Sequence, residues 1–464
     1  MLKIKDFGIR YKEATIFEKA NLEVQRGEIA VISGKSGCGK SSLLKSINGI
    51  LFETDGVQIS GDIEFDGESI LEKNISNRSR FVSTVFQNPK TQFYCINTTD
   101  ELAFALENRN IKKDKILETI DEYTTKLNTV HLLDKNIFTL SGGEKQLVAI
   151  TAVACMDNNI YLFDEPSASL DKQSIELLKN TLLKLKSMGK IIIIAEHRLY
   201  YLTDIMSKFV VLHNNNMNVF NVVDSKKSLL EDISDKYELR TLKEIVKKDL
   251  SNLEFNTIRL DHGDEEKDKS GLLKCEKFLA YYDKNKILDM SISFQAGINF
   301  IIGENGVGKT TFIKKLSGLL NGKGRSFFAG KKIEKNYEYI SMVMQDVNYQ
   351  LFTESVWQEI SIASSNDDLK KRVLEELELY DKKDFHPQIL SGGEKQRLLI
   401  GLAKVSNKPI IILDEPTSGL CRGKMMKIID YLYEMKSLGK VIIVITHDYE
   451  LIHKCGGKVY EFVR

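Results

Sequence analysis

Six short apolar runs punctuate the chain in two matching sets of three. EIAVIS (28–33), IYLF (160–163) and IIIIA (191–195) lie in the first half; INFII (298–302), IIIL (410–413) and VIIVI (441–445) lie in the second. Near-continuous apolar runs of this length are the pattern of strands buried on both faces of a parallel sheet. The first run of each set ends at a glycine-rich loop and is followed by apolar residues at helical spacing. Strand and helix therefore alternate, which predicts an α/β fold with a mostly parallel sheet in each half. In such sheets ligands bind just past the C-terminal ends of the strands.

The repeat extends from pattern to letters. GKSGCGKSS (34–42) returns as GENGVGKTT (303–311), LSGGEKQ (140–146) returns unchanged at 390–396, and LFDEPSASL (162–170) returns as LDEPTSGL (413–420). Ser141 and Ser391, Asp164 and Asp414, and His197 and His447 are all separated by the same 250 positions. Between Gly34 and Ser141 lie 107 positions, against 88 between Gly303 and Ser391, so the second copy is expected to lack about one helix or hairpin. A unit this long carries its own core, so two domains are expected, 1–222 and 272–464. Residues 223–271 repeat in neither half; they read as a charged, partly helical tether with ten basic and thirteen acidic residues.

Composition narrows the class of protein. Of 464 residues 42% are hydrophobic and 28% charged, and 66 Lys and Arg against 65 Asp and Glu leave a net charge of +1. That balance gives no electrostatic reason to expect nucleic acid as a partner. No apolar run approaches the 18 or so residues a bilayer span requires, and MLKIKDFGIR has no signal-peptide core. Six scattered cysteines without a CxxC pair suit a reduced compartment.

Both glycine loops satisfy G-x-x-x-x-G-K-[ST] between a strand and a helix, the context of a phosphate-binding loop. Gly34, Gly37 and Gly39, and Gly303, Gly306 and Gly308, let backbone N–H groups converge on a phosphate. Lys40 and Lys309 reach the β- and γ-phosphates, followed by Ser41-Ser42 and Thr310-Thr311, with Ser41 and Thr310 offering a hydroxyl to Mg²⁺. Asp164 and Asp414, at the ends of apolar strands, suit the same hard cation; Glu165 and Glu415 can orient and deprotonate the attacking water. Ser141-Gly142-Gly143 and Ser391-Gly392-Gly393 open helices, leaving free N–H groups and a hydroxyl as an anion site. Cys38, inside the first loop, is either a thiol activated by positive surroundings or a small residue at a variable position.

LSGGEKQ between a phosphate loop and a DEP strand resembles the ATP-binding-cassette (ABC) ATPases, and the resemblance covers both halves nearly end to end. It implies two P-loop NTPase domains in tandem, each with an antiparallel β subdomain and a helical signature subdomain. It also implies that ATP and Mg²⁺ bind at two composite sites, each signature serving the nucleotide of the opposite half. Tyr11 and Tyr281 match the aromatic that stacks on adenine, although a tyrosine packed in a strand would look the same. Gln87 and Gln345 match the glutamine at the metal and water, and His197 and His447 match the switch histidine. Asp171 matches the aspartate of the loop crossing to the other half; the second copy has Cys421 there, which implies a slower site on Lys40.

The stretch VFQNPKTQFYCINTTDELAFALEN (85–108) resembles the ATPases of energy-coupling factor (ECF) importers, and VMQDVNYQLFTESVWQEI (343–360) keeps its cadence. Lys90 stands where that group usually has an acid, and Asp346-Val347 replace its Asn-Pro. The resemblance implies that Gln92 with Phe93, and Gln350 with Leu351, give a groove one polar anchor and one apolar wall for a transmembrane scaffold (T) subunit. A substrate-binding membrane (S) subunit would complete the complex at the cytoplasmic face, importing a vitamin, precursor or metal ion. A duplicated sugar-importer ATPase usually shows one eroded site, which this chain lacks. A tandem translation factor would want a basic linker for ribosomal RNA, and a repair ATPase would need a long insertion inside a cassette.

Overall fold

The computed structural model describes residues 1–11, 14–168, 170–222, 227–261, 271–282 and 285–464. It divides into two compact units, Met1–Glu244 with Gly419–Gly423, and Ile245–Ser418 with Lys424–Arg464.

In the first unit the apolar runs form the expected sheet. Its order is Asn216–Asn221, Lys208–His213, Ile29–Gly34, Ile191–Ala195, Ile160–Asp164, Val82–Val85. All neighbours are parallel except the first pair, a hairpin at the edge. Ile191–Ala195 is buried at every position because helices or a second sheet cover both faces. That second sheet is antiparallel and four-stranded, ordered Ala14–Val24, Leu2–Tyr11, Val57–Phe65, Glu68–Ser69. Helices Thr98–Asn108, Lys113–Leu127 and Gly142–Cys155 pack together as the helical subdomain.

The second unit repeats this plan with a different edge. Its sheet is parallel throughout, ordered Phe255–Arg259, Lys458–Val463, Gly297–Ile302, Val441–Ile445, Ile410–Asp414, Ile340–Val343. The antiparallel sheet is again present, with Asn285–Phe294, Leu273–Tyr282, Lys323–Phe328 and Lys331–Lys332 in order. Between loop and signature every α-helix and the hairpin of the first unit is retained, and the short 3-10 turn Ile50–Glu53 alone has no counterpart among the described residues. The shorter spacing comes instead from trimming: the two helices ahead of the signature have 6 and 10 residues, against 11 and 15 in the first unit. Strand Lys323–Phe328 has 6 residues where Val57–Phe65 has 9.

The stretch read as a tether is largely structured where it is described. Helix Lys227–Lys236 and the turn after it bring Leu230, Ile233, Tyr237, Leu239 and Leu242 into the first unit's core. Phe255–Arg259 then becomes an edge strand of the second unit's sheet, and Leu260 is buried beside it. A helical apolar stripe and a short strand at the end of each domain are invisible to a repeat search, because each has a counterpart in neither copy. The charged run 262–270 lies outside the described residues.

Candidate functional site

In each unit the phosphate loop holds two glycines where a Cβ would meet close neighbours, Gly34 and Gly39 in the first and Gly303 and Gly308 in the second. Gly39 caps helix Lys40–Asn48 at φ 98°, and a Cβ there would lie 2.3 Å from Ile16 Cγ2. Gly34 has φ 154° and would place a Cβ 2.4 Å from the Leu212 carbonyl oxygen. Lys40, buried at the helix start, has its Nζ 3.0 Å from His197 Nε2. In the second unit Lys309 instead donates to the carbonyls of Gly303 and Glu304 at 2.6 and 2.9 Å. Cys38 is partly buried, and burial pushes its thiol up, which opposes the activated-thiolate reading.

The strand-end acids converge on these lysines. Ser41 Oγ donates to Asp164 Oδ1 at 3.1 Å. Glu165 and Glu415 both adopt left-handed backbone, φ 48° and 51°, a strain of about 1 kcal/mol for a residue with a Cβ. The turn is fixed by matching bonds, Glu165 N–H to the Ala195 carbonyl at 2.8 Å and Glu415 N–H to the Ile445 carbonyl at 2.9 Å. It brings Glu165 Oε1 to 3.6 Å from His197 Nε2 and Glu415 Oε1 to 3.8 Å from His447 Nε2. Gln87 and Gln345 are both exposed, and Gln87 Nε2 donates to Glu165 Oε2 at 2.8 Å. His447 Nε2 is also 3.1 Å from Asn305 Oδ1. Burial raises the Asp164 carboxyl against the pull of Ser41 and Lys40, and it raises Asp414 to about 6.

The signature serines cap their own helices. Ser141 forms a capping box with Glu144 at the start of Gly142–Cys155, whereas at the start of Gly392–Val405 the Ser391 N–H and hydroxyl both donate to the Glu394 carboxylate at 2.9 Å; both serines remain exposed with the glycine that follows. Gly143 is buried, and a Cβ on it would lie 2.1 Å from Ser174 Oγ. Asp171 caps helix Lys172–Ser187 by accepting from Ser174 N–H at 2.9 Å. Cys421 occupies the same place before Arg422–Ser437 with no carboxylate to offer. Tyr11 packs against the core while Tyr281 is 51% exposed, so the second tyrosine is the freer of the two to meet a base.

The glutamines expected to anchor a groove face inward. Gln92 accepts from Phe86 N–H and donates to the Thr84 carbonyl, both at 3.2 Å; Gln350 does the same with Met344 and Met342 at 2.7 and 2.8 Å. Leu351 is buried and Phe93 packs on the Leu132, Leu140, Leu147 and Val148 cluster. The exposed apolar surface falls one residue later, at Tyr94 (77%) and Phe352 (75%). Those loops are held by Glu101, which accepts from Tyr94 and Cys95 N–H, and by Glu359, which accepts from Phe352 and Thr353 N–H. Each acid stands nine residues after its glutamine, so aligning the two copies position by position would have found the pair.

The ABC transporter family profile matches residues 17–168 and 287–418. The chain belongs to the ABC transporter family. A Treponema denticola protein named "Putative ABC transporter ATP-binding protein" is 36% identical over 95% of this chain and 90% of its own length. A Sulfurisphaera tokodaii protein of the same name is 30% identical over 100% of this chain and 96% of its own. Among solved structures, an RNase-L Inhibitor covers 97% of this chain and 86% of its own with TM-score 0.60; at 20% identity this speaks to fold alone. The tandem arrangement of two family domains makes the chain an ATP-binding ABC ATPase with a duplicated domain.

Proposed function

We propose that this chain is the ATP-hydrolysing subunit of an ECF-type import complex that takes up a vitamin, a precursor or a metal ion. The observation that carries the ATP-hydrolysing part of the reading is the cluster repeated in each unit: a loop lysine, a strand-end Asp-Glu pair and a switch histidine against the glutamate; the ECF part rests on the resemblance of residues 85–108 and 343–360. The relatives' names, over nearly the whole chain, support transport as the work done.

The loop glycines, Lys40 and Lys309 hold the phosphates, and Ser141-Gly142-Gly143 and Ser391-Gly392-Gly393 each serve the nucleotide of the opposite half. Glu165 and Glu415 take a proton from the attacking water, with His197, His447, Gln87 and Gln345 positioning the γ-phosphate and water. An all-oxygen donor set suits Mg²⁺: Ser41, Asp164 and Gln87 in one unit, Thr310, Asp414 and Gln345 in the other. The burial that pushes Asp414 up to about 6 would be offset by a cation held there, so the donor chemistry fits the ion. Bound Mg²⁺ supplies charge neutralisation of the phosphates. ATP binding draws the halves together and levers a membrane scaffold subunit, and hydrolysis resets them. Asp171 lies on the loop that serves the opposite site, and Cys421 in its place makes the Lys40 site the slower one.

Among the described residues no helix is long and apolar enough to cross a membrane; in the proposed reading the chain works as a peripheral subunit through membrane partners. A tagged pull-down from detergent-solubilised host membranes is expected to recover two small polytopic proteins, the scaffold and substrate-binding subunits. Recovery of ribosomes without a membrane protein would replace this reading with the translation-factor one. Recovery of a large permease pair would favour a sugar importer.

A further inference from the structure

The residues flanking the two switch histidines differ, AEHR in the first unit and ITHD in the second, yet both flanks lead to the same contact. In the second unit Asp448, one residue after His447, accepts from Thr417 Oγ1 at 2.7 Å. Thr417 belongs to the turn that follows Glu415. In the first unit the matching hydroxyl, Ser167 Oγ, donates at 2.7 Å to Glu196, one residue before His197. Position 198, where the second unit has its acid, is an arginine, and its guanidinium donates to the Leu170 carbonyl at 3.1 Å. The acid has changed sides of the histidine while keeping its partner.

Glu196 is only 2% exposed, and its carboxylate is saturated. Oε2 accepts from Ser167 Oγ, from Ser167 N–H at 3.3 Å and from the Tyr201 hydroxyl at 2.9 Å. Oε1 accepts from His197 N–H at 2.7 Å and Arg198 N–H at 3.0 Å. One side chain therefore ties the backbone of the switch histidine to the turn that carries the strand-end glutamate. A buried carboxylate with five donors is rigid, and losing it would leave those donors unpaired. In the second unit the work is divided. Asp448 holds Thr417, while Thr446, at the position of Glu196, donates to Glu415 Oε2 at 3.3 Å and accepts from Asp448 N–H at 3.0 Å.

We infer that Glu196 is a positioning residue for hydrolysis at the Glu165 site, doing in the first unit what Asp448 and Thr446 do together in the second. The inference rests on the reading of Glu165 and His197 as the hydrolytic pair. It acts through them, by fixing the separation of His197 from Glu165, and does not itself touch nucleotide.

The test uses the full-length chain in two backgrounds. Glu415→Gln leaves the Glu165 site as reporter, and Glu165→Gln leaves the other. Glu196→Thr is expected to lower kcat roughly tenfold or more in the first background, the usual scale of a misplaced catalytic group, with KM for ATP changed less than about threefold. In the second background it should change little. The paired change Glu196→Thr with Arg198→Asp, which rebuilds the second unit's arrangement, should restore most of the lost kcat. Glu196→Gln, equal in size, covers the case in which the threonine variant does not fold, and should also lower kcat in the first background alone. Unchanged kcat in Glu196→Gln, loss in both backgrounds, or a well-folded paired variant without rescue would each overturn the inference. If Glu415→Gln alone shows no more turnover than the double Gln variant, the hydrolytic reading of Glu165 fails first, and this inference with it.

Discussion

With Glu165→Gln and Glu415→Gln combined, ATP still binds but steady-state hydrolysis falls about 100- to 10,000-fold, the contribution a general base makes. Each glutamate is presented by a left-handed turn whose N–H is tied to the neighbouring strand, so the amide replaces the carboxylate in place. The phosphate loop and its lysine are untouched, which is why binding survives. Phosphate release and retention of labelled ATP through gel filtration read the two halves of the expectation. Turnover within a few-fold of the unmodified chain would remove both glutamates from the chemistry. The single variants add a finer comparison: the slower Lys40 site predicts more residual activity in Glu165→Gln than in Glu415→Gln, and equal rates would dispose of that asymmetry.

What the sequence discloses follows from where its information is dense. Buried parallel strands read directly, since IIIIA and VIIVI have no other stable home than a sheet covered on both faces. The phosphate loops read as directly, because a glycine forced to φ 98° against Ile16 leaves little choice of residue. The region from 223 to 271 reads poorly for the opposite reason. Its helix and strand take their meaning from the surfaces they cover, Leu230 and Ile233 on one core and Phe255–Arg259 on one sheet edge, and nothing local distinguishes them from a tether. The glutamine pair shows a third limit. Gln92 and Phe93 read as a groove's polar anchor and apolar wall, yet both side chains face inward, because a polar residue beside an aromatic does not reveal which of them faces in; the bonds to Thr84 and Phe86 decide it for Gln92. Glu196 was hidden because it does its partner's work from the other side of the histidine, and motif matching by position cannot see that.

Asp414→Asn should move stability and activity in opposite directions. The carboxyl is buried at the end of Ile410–Asp414, and the fold raises it from 3.8 to about 6. A raised carboxyl means that the folded state favours the neutral form. The fold's stability is therefore full below pH 4, declines as pH rises through about 6, and is constant above. The shift corresponds to a cost of at most ~3 kcal/mol at pH 8 in the absence of a bound cation. Asparagine cannot ionise, so without nucleotide and in the presence of a chelator the variant should be about 1–3 kcal/mol more stable than the parent at pH 8. The gap should close as pH is lowered from 6 to 4. Asp164→Asn should gain less, because Ser41 and Lys40 already offset the burial of that carboxylate. The same Asp414→Asn change, placed in the Glu165→Gln background, should abolish Mg²⁺-dependent turnover at the second site, since an amide is a poor substitute for a carboxylate on a hard cation. Chemical denaturation across pH 4–8 measures the first effect and phosphate release the second. A stability gap that is absent at pH 8, or that does not change with pH, would mean that Asp414 carries no buried charge, and a variant with normal turnover would remove it from the cation site.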